Sequence, residues 1–446
     1  MATPDRLDLL DDILARVKKA GADAADAVVA SSAAVSVAHR LGRPEGIERA
    51  ESADLGLRVM VGKRQAMASS TDLSPDGLTR LCDQALAMAK VASEDPWCGL
   101  ADADTLAKSI PDLDIAEAGE PEPEWLQEQA ARAEDAARAV KGVTNSEGAE
   151  AGWSRAQVAL ATSAGFRGTY AGTHYGISTS VIAGTGNGMQ TDYDFTSATH
   201  ADGLADAAAI GRNAGERAVR RLSPRKASTA KVPVVFENRL AGRLLRALAG
   251  AISGPSIARG TSFLKGAMGK EIFPAAITVV DDPHRRRGLR SKPFDGEGVA
   301  NGRQAIIDKG VLTTWLLDSA SGRQLGLKTT GHASRGTSSP PSPSPTNFYM
   351  EPGTRTFAEL IADIRQGLLV TELMGMGVNG VTGDYSQGAA GFWIENGEVA
   401  YPVSEITIAS NLKDMFKGLT AASDLVFRSG MDAPAVRVEA MTVAGK

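Results

Sequence analysis

The stretch Gly377–Phe416, GVNGVTGDYSQGAAGFWIENGEVAYPVSEITIASNLKDMF, decides how this chain is read. Two β-rich runs flank the polar turn Glu395-Asn396-Gly397, and Phe392, Trp393 and Ile394 stand just before it. Asn and Gly tolerate the positive φ angles of a tight primed turn, so an Asn-Gly step between such runs signals a β-hairpin. A glycine-rich entry carrying Asp384, Tyr385 and Ser386 leads into it. The reading is a hairpin near the end of a sheet.

Outward from this hairpin, 446 residues exceed what one hydrophobic core organises, so two or three domains are expected. An apolar content of 43% and a charged content of 23% are ordinary for a globular protein. A net charge of −5 gives no basic footprint for nucleic acid. Cys82 and Cys98 form no disulfide framework and match no metal spacing. The acidic, helical start MATPDRLDLLDDIL is unlike a signal peptide, and no apolar run reaches the ~20 residues of a membrane span. A cytoplasmic protein without membrane or nucleic-acid partners is expected.

The first unit, 1–110, reads as helix, strands, helix. Thr3-Pro4 caps a helix with Leu7, Leu10, Leu14 and Val17 on one face, ended by Gly21. Strands follow near 26–39, 45–52 and 55–70, then a helix opened by Ser74-Pro75 that carries Cys82 in its apolar stripe. A Pro- and acid-rich joint near 110–124 begins the second unit, 111–228. It reads as a helix over 124–141, strands near 156–163, 166–173, 174–184 and 187–195, and a helix from Asp202 to Leu222. Asp76-Gly77-Leu78 and Asp202-Gly203-Leu204 stand at matching places and hint at an internal repeat, although each is also simple helix-start chemistry.

The third unit, 229–446, opens with a strand, Val232–Phe236, and a helix from Asn238 with Leu240, Leu244, Leu245, Leu248 and Ile252 as its buried stripe. Arg239, Arg243 and Arg246 fall largely on other faces. Beyond Ala275 the pattern is mostly β, broken by a Ser/Pro run at 338–346 that reads as a flexible linker and by a helix over 357–370. The fold class is α+β: two N-terminal units of helix plus β-meander, and a β-rich C-terminal domain.

The Gly377–Phe416 wording, with the SPSPTN phrase at 342–347, closely resembles the C-terminal domain of the TldD/PmbA family, and the PmbA (TldE) branch rather than the TldD branch. The resemblance implies that the Ser/Pro run is an ordered loop. It also implies a zinc metallopeptidase relationship, because the TldD branch carries His-Glu-x-x-x-His on the equivalent helix, with a cysteine ligand near the C-terminus. Here those motif positions read Arg246, Ala247 and Ala251, and no cysteine follows Cys98. A guanidinium and two methyls offer zinc no lone pair. Residues five apart on a regular helix diverge by ~140°, so the motif also needs a bulge or an early helix end, which Gly250 marks. The family's older label, modulator of DNA gyrase, gains nothing from the charge.

The resemblance therefore implies no metal or cofactor in this chain, with zinc in a TldD-like catalytic partner. The pair would process short or unfolded peptides, and the isolated chain would form a homodimer. A stand-alone peptide-binding adaptor and a hydrolase with unidentified residues are the alternatives. The family's peptide is thought to lie extended beside the motif helix, which fits strand addition. Asp384, Tyr385, Ser386, Gly388 and Gly391 are the candidate cleft wall, although glycines there also suit turn geometry. The literal GxGxxG at 375–380 precedes strand-like residues where a dinucleotide site needs a helix, so it carries no such reading. His284 beside Asp281 and Asp282, and the run Arg285-Arg286-Arg287, read as solvated polar loops.

Overall fold

The computed structural model describes residues 6–375 and 377–445. The Thr3-Pro4 cap lies outside them. Helix α1 (Arg6–Lys19) buries Leu10, Ile13, Leu14 and Val17, and Gly21 ends it at φ +106°. Three strands follow, β1 (Ala24–Arg40), β2 (Arg43–Val61) and β3 (Arg64–Ser70), and then α2 (Pro75–Val91). The Ser74 hydroxyl accepts the Gly77 N–H and caps α2, whose buried stripe includes Cys82. The order then repeats as α3 (Pro123–Arg138), β4 (Val143–Thr162), β5 (Arg167–Ala183), β6 (Gln190–Ala198) and α4 (Ala207–Arg220).

The two helix–meander–helix sets share one antiparallel sheet of order β3-β2-β1-β4-β5-β6. The seam is β1 against β4, in register from Asp26↔Thr162 to His39↔Ala149. The hinted repeat is therefore visible in the element order. Four sequence expectations needed correction here. β2 runs unbroken through 53–54, where a gap between strands was expected. β4 begins at Val143, thirteen residues earlier than expected. Its first half, VTNSEGAEAGWSR, is polar on the open face and sends Ala149, Ala151 and Trp153 into the core beside α3. β5 runs unbroken through 173–174. The last helix starts at Ala207, where Asp206 accepts the Ala209 N–H, and not at Asp202.

All four helices pack on one sheet face. Leu55, Leu57, Val59 and Val29 meet α1 and α2, while Val35, Val37 and Trp153 meet α3. The opposite face carries small residues over much of its area, Ser36, Gly152 and Gly176 standing side by side across three strands. At one end this face is covered by the C-terminal part of the chain, where Phe294 packs on Val28, Leu160 and Phe166.

The C-terminal part is β-rich, as expected. Strand β7 (Ala230–Phe236) leads into α5 (Asn238–Ala251). β7 lies parallel to Gln366–Met374, which pairs with Asp384–Glu395, which pairs through the expected Asn-Gly hairpin with Glu398–Asn411. Asn396 and Gly397 have φ of +51° and +82°, as a primed turn requires. Val436–Ala444 pairs with both β7 and Glu398–Asn411 and closes the five strands into a ring. The α5 stripe fills the adjoining core with Phe236, Phe348, Met415 and Phe416.

The expected helix over 357–370 exists only as Phe357–Ile361, and Gln366–Met374 is a strand. The run Gly367–Thr371 is buried without alternation because neighbouring strands flank it and both faces are covered, and such a run has no distinguishing period. The Ser/Pro run is an ordered loop: Ser342–Pro343 pairs with Ala333–Ser334, and Thr346 donates through its N–H and hydroxyl to Asp281 at 2.6 and 2.7 Å.

Candidate functional site

Helix α5 carries the positions singled out by the motif. It stays regular to Ala251, and the Ile252 N–H bonds the Leu248 carbonyl at 3.0 Å. The helix thus ends directly after the motif, with no bulge inside it. Arg246 is exposed, Ala247 half-buried against the core, and Ala251 buried. Arg246 and Ala251, the positions that the resemblance equates with the two histidines, consequently point to different sides. Gly250 is exposed, with open space where a side chain would stand. Gly242, two turns earlier, is the tight glycine: a Cβ there would overlap the Met431 carbonyl oxygen.

These residues do not fit a zinc ion. Arg246 holds its protons, and the alanines have no donor atoms. Among the described residues no three His, Cys, Asp or Glu side chains converge as ligands. Cys82 and Cys98 are buried and separate from α5, and burial pushes both thiols up. Of the histidines, His39 contacts Glu134 at 3.0 Å, His332 contacts Asp281 at 3.3 Å, and His284 bonds Asn301 at 2.8 Å, each in a different place.

The five candidate wall residues do not form one surface. Tyr385 is buried, its ring edge-on to Phe236 and its hydroxyl donating to Gln387 at 2.9 Å. Gly391 is buried where a Cβ would overlap the Leu369 carbonyl oxygen, so it serves the approach of neighbouring strands. Gly388 is half-buried beside Met374. Asp384 and Ser386 are exposed. Asp384 accepts from Thr382 at 2.6 Å and Asn411 at 3.1 Å, and these two bonds hold its carboxyl below the usual carboxylate range. Asp384 fastens the hairpin entry, and only Ser386 is left with a free side to present.

The sequence reading missed the residues that join α5 and its surroundings to the six-stranded sheet. Arg239 is buried, donating to Asp192 of β6 at 3.1 Å and to Glu237 at 3.1 Å, with its guanidinium 5.2 Å from the Tyr193 ring centre. Arg221 bridges Asp192 and Glu372. A second junction centres on Asp26, whose carboxylate takes both Arg58 of β2 and Arg335 of the C-terminal part. Arg58 also stands 4.0 Å from Glu297. Burial alone would raise the Asp26 carboxyl, but Arg335 and Arg58 outweigh it and hold it low. In the Arg285-Arg286-Arg287 run Arg286 and Arg287 are exposed, as a solvated loop requires, yet all three side chains have partners. Arg285 lies over the Phe427 ring at 3.6 Å, while Arg286 and Arg287 bind Asp114 and Arg287 also binds Asp202. No local pattern could reveal these pairs, whose members stand up to 309 residues apart.

Family profiles match the chain in three blocks: PmbA/TldA metallopeptidase domain 1 over residues 25–89, the central domain over 116–222 and the C-terminal domain over 229–445. The chain is 42% identical over 426 residues to metalloprotease PmbA of Escherichia coli O157:H7, covering 95% of this chain and 93% of that one. The chain belongs to the PmbA/TldD metallopeptidase family. A PmbA homologue from Haemophilus influenzae is 39% identical over 96% of this chain and 93% of its own length. A TldD homologue from Buchnera aphidicola is 26% identical over 58% of each chain. Among solved PmbA/TldD folds, a candidate modulator of DNA gyrase from Bacteroides thetaiotaomicron superposes with a TM-score of 0.92 at 27% identity over both full chains. TldE from Thermococcus kodakarensis shares the fold at a TM-score of 0.88 and 22% identity, covering 98% of this chain and 100% of that one. No described helix is long and apolar enough to cross a membrane.

Proposed function

We propose that this PmbA/TldD-family chain is the non-catalytic subunit of a heteromeric zinc metallopeptidase. Its partner is a TldD-like chain that holds zinc on an intact His-Glu-x-x-x-His helix, and the pair processes short or unfolded peptides. One observation carries the reading: α5 keeps its packed, buried stripe while its motif positions are a guanidinium and two methyls that point apart. Zinc hydrolysis needs neutral nitrogen or thiolate ligands, an open coordination position and a base for the bound water. This helix supplies none of them. Retention of its shape fits a role in assembly, with the isolated chain pairing with itself.

The test is co-purification with a TldD-like protein from the native cell, followed by metal analysis and peptide turnover of each chain and of the pair. Stoichiometric zinc and turnover in the pair, absent from this chain alone, are the expected results. Turnover by the isolated chain would overturn the reading and make it a hydrolase in its own right. Peptide binding without any such partner would make it an adaptor.

A further inference from the structure

Strand β2 outruns its neighbour on one side. It pairs with β1 over 43–60, but β3 pairs only with 55–61, so residues 43–54 have a strand along one edge and none along the other. Every residue from 43 to 53 is exposed. The turn that follows shows which groups face the free edge. Val61 and Arg64 flank the two-residue turn Gly62-Lys63 and exchange both ladder bonds, which aims Val61 at β3. The register runs unbroken from there back to Gly46, so alternation aims Ile47, Arg49, Glu51 and Ala53 out of the same edge. Their N–H and C=O groups have no hydrogen-bond partner among the described residues.

This edge is held rigid. The buried Glu134 carboxylate of α3 accepts the Leu41 and Gly42 N–H groups at 2.6 and 3.0 Å and contacts His39 at 3.0 Å, which pins the β1–β2 turn. A strand already fixed in place loses little freedom on gaining a neighbour. Both ends of the free stretch are closed. Ser70 fills the lane opposite Leu55, while at the other end Pro44 has no N–H and the β-bulge at Glu45 breaks the ladder phase. The slot between them takes about seven extended residues, ~24 Å. A second copy pairing antiparallel about Ala50 would drive its own turn, residues 41–45, into the lane of Ser70. A short free strand meets no such obstacle.

Arg49 and Glu51 lie on one strand face, are 52% and 65% exposed, and pair with each other at 2.8 Å, Arg49 also with Glu120. Exposed pairs of this kind are worth little and exchange readily for cross-strand partners. Beside Glu51 and Ala53 an open groove of about 470 Å³, lined also by Arg6, Ser31, Arg155 and Gln157, leaves room for incoming side chains. We propose that the free edge of β2 docks a short extended peptide, which adds to the sheet along 47–53 through main-chain bonds, with an acidic side chain opposite Arg49 and a basic one opposite Glu51. This occupant rests on the peptide-processing reading above. The slot lies at the far side of the sheet from β6, the strand that α5 meets through Arg239.

Isothermal titration of the full chain with acetyl-Val-Thr-Lys-Thr-Glu-Thr-Val amide tests the site. Glu51→Pro removes one outward N–H and leaves the bonds to β1 in place, while Arg49→Glu reverses one charge; circular dichroism checks the folding of each. Saturable binding is expected, with slowed hydrogen exchange of the Ile47, Arg49 and Ala53 amides. Glu51→Pro should weaken it about tenfold. Arg49→Glu should weaken it too, and should favour the peptide with Lys in place of Glu. That variant alters only exposed atoms, so it decides the matter if Glu51→Pro fails to fold. Absence of saturation up to about 1 mM peptide, or binding that both variants leave unchanged, overturns the site. Self-association of the chain that Glu51→Pro abolishes would give the edge to a second copy and overturn it as well. None of these measurements involves a partner subunit or turnover, so failure here leaves the subunit reading standing.

Discussion

Replacing Asp26 with asparagine tests the account of the junction most directly. The Asp26 side chain is 1% exposed, and the two guanidinium groups on it are 5% and 2% exposed. The substitution keeps an oxygen acceptor and the shape but removes the one charge both cations share. Glu297, 4.0 Å from Arg58, is the nearest remaining anion on the Arg58 side, and its own carboxyl is raised by burial. Breaking a buried pair costs about 3–5 kcal/mol because the surviving charge stays uncompensated. The introduced amide oxygen still accepts one N–H, so the lower end, about 3 kcal/mol, is expected. Arg335→Met leaves Asp26 and Arg58 as a matched pair and should cost less. Urea unfolding of the three proteins, with hydrogen exchange of β1 and β2 amides to localise the loss, measures both effects. A loss from Asp26→Asn below about 1 kcal/mol, the range of exposed pairs, would refute the reasoning. The pH dependence has a fixed sign. The Asp26 carboxyl is lowered in the folded state, so its contribution is present above the ordinary carboxylate value near ~4 and is lost as pH falls through the lowered one.

Asp295 gives the opposite slope. Its folded value is raised to about 8, so it destabilises the fold progressively as pH climbs from about 4 to 8, and Asp295→Asn should flatten the fall in urea midpoint between about pH 5 and 9. Gly391→Ala forces a methyl onto the Leu369 carbonyl and should cost about 1–3 kcal/mol in thermal or urea unfolding, whereas Gly388→Ala meets Met374 at an ordinary 3.4 Å and should be near neutral. Making Arg246→His, Ala247→Glu and Ala251→His together should not create a tight zinc site. One imidazole would lie on the exposed side of α5 and the other in the core, and Val426–Gly445 contains no cysteine or histidine to act as a third ligand. Stoichiometric zinc with peptide turnover by that variant would show the placement to be wrong.

The features readable from the sequence obeyed local rules. The Asn396-Gly397 hairpin, the leucine stripe of α5 and the buried thiol of Cys82 each rest on residues within two or three turns of one another. Gln366–Met374 failed because a strand whose centre is covered on both faces has no period. The first half of β4 failed because its apolar side is made of small residues at Ala149 and Ala151. Within the site, the absence of metal-binding side chains at 246, 247 and 251 could be read directly, but the burial of Tyr385 and Gly391 could not. Whether a glycine lines a cleft or admits a neighbouring strand depends on what lies opposite it. Arg239 and Arg335 were missed for the same reason, since their partners Asp192 and Asp26 belong to another part of the chain.

The ring of five strands has a consequence for how the protein comes into being. β7 ends at Phe236, and the strand that seals its free side, Val436–Ala444, is synthesised about 200 residues later. Until then the nascent chain carries a raw hydrogen-bonding edge on β7, joined by a second on Glu398–Asn411 once that strand is made. Every residue in between must wait, and such edges are templates for pairing with other chains. A cell making this protein therefore has to shelter the open edge of β7 for most of the time its C-terminal half is leaving the ribosome.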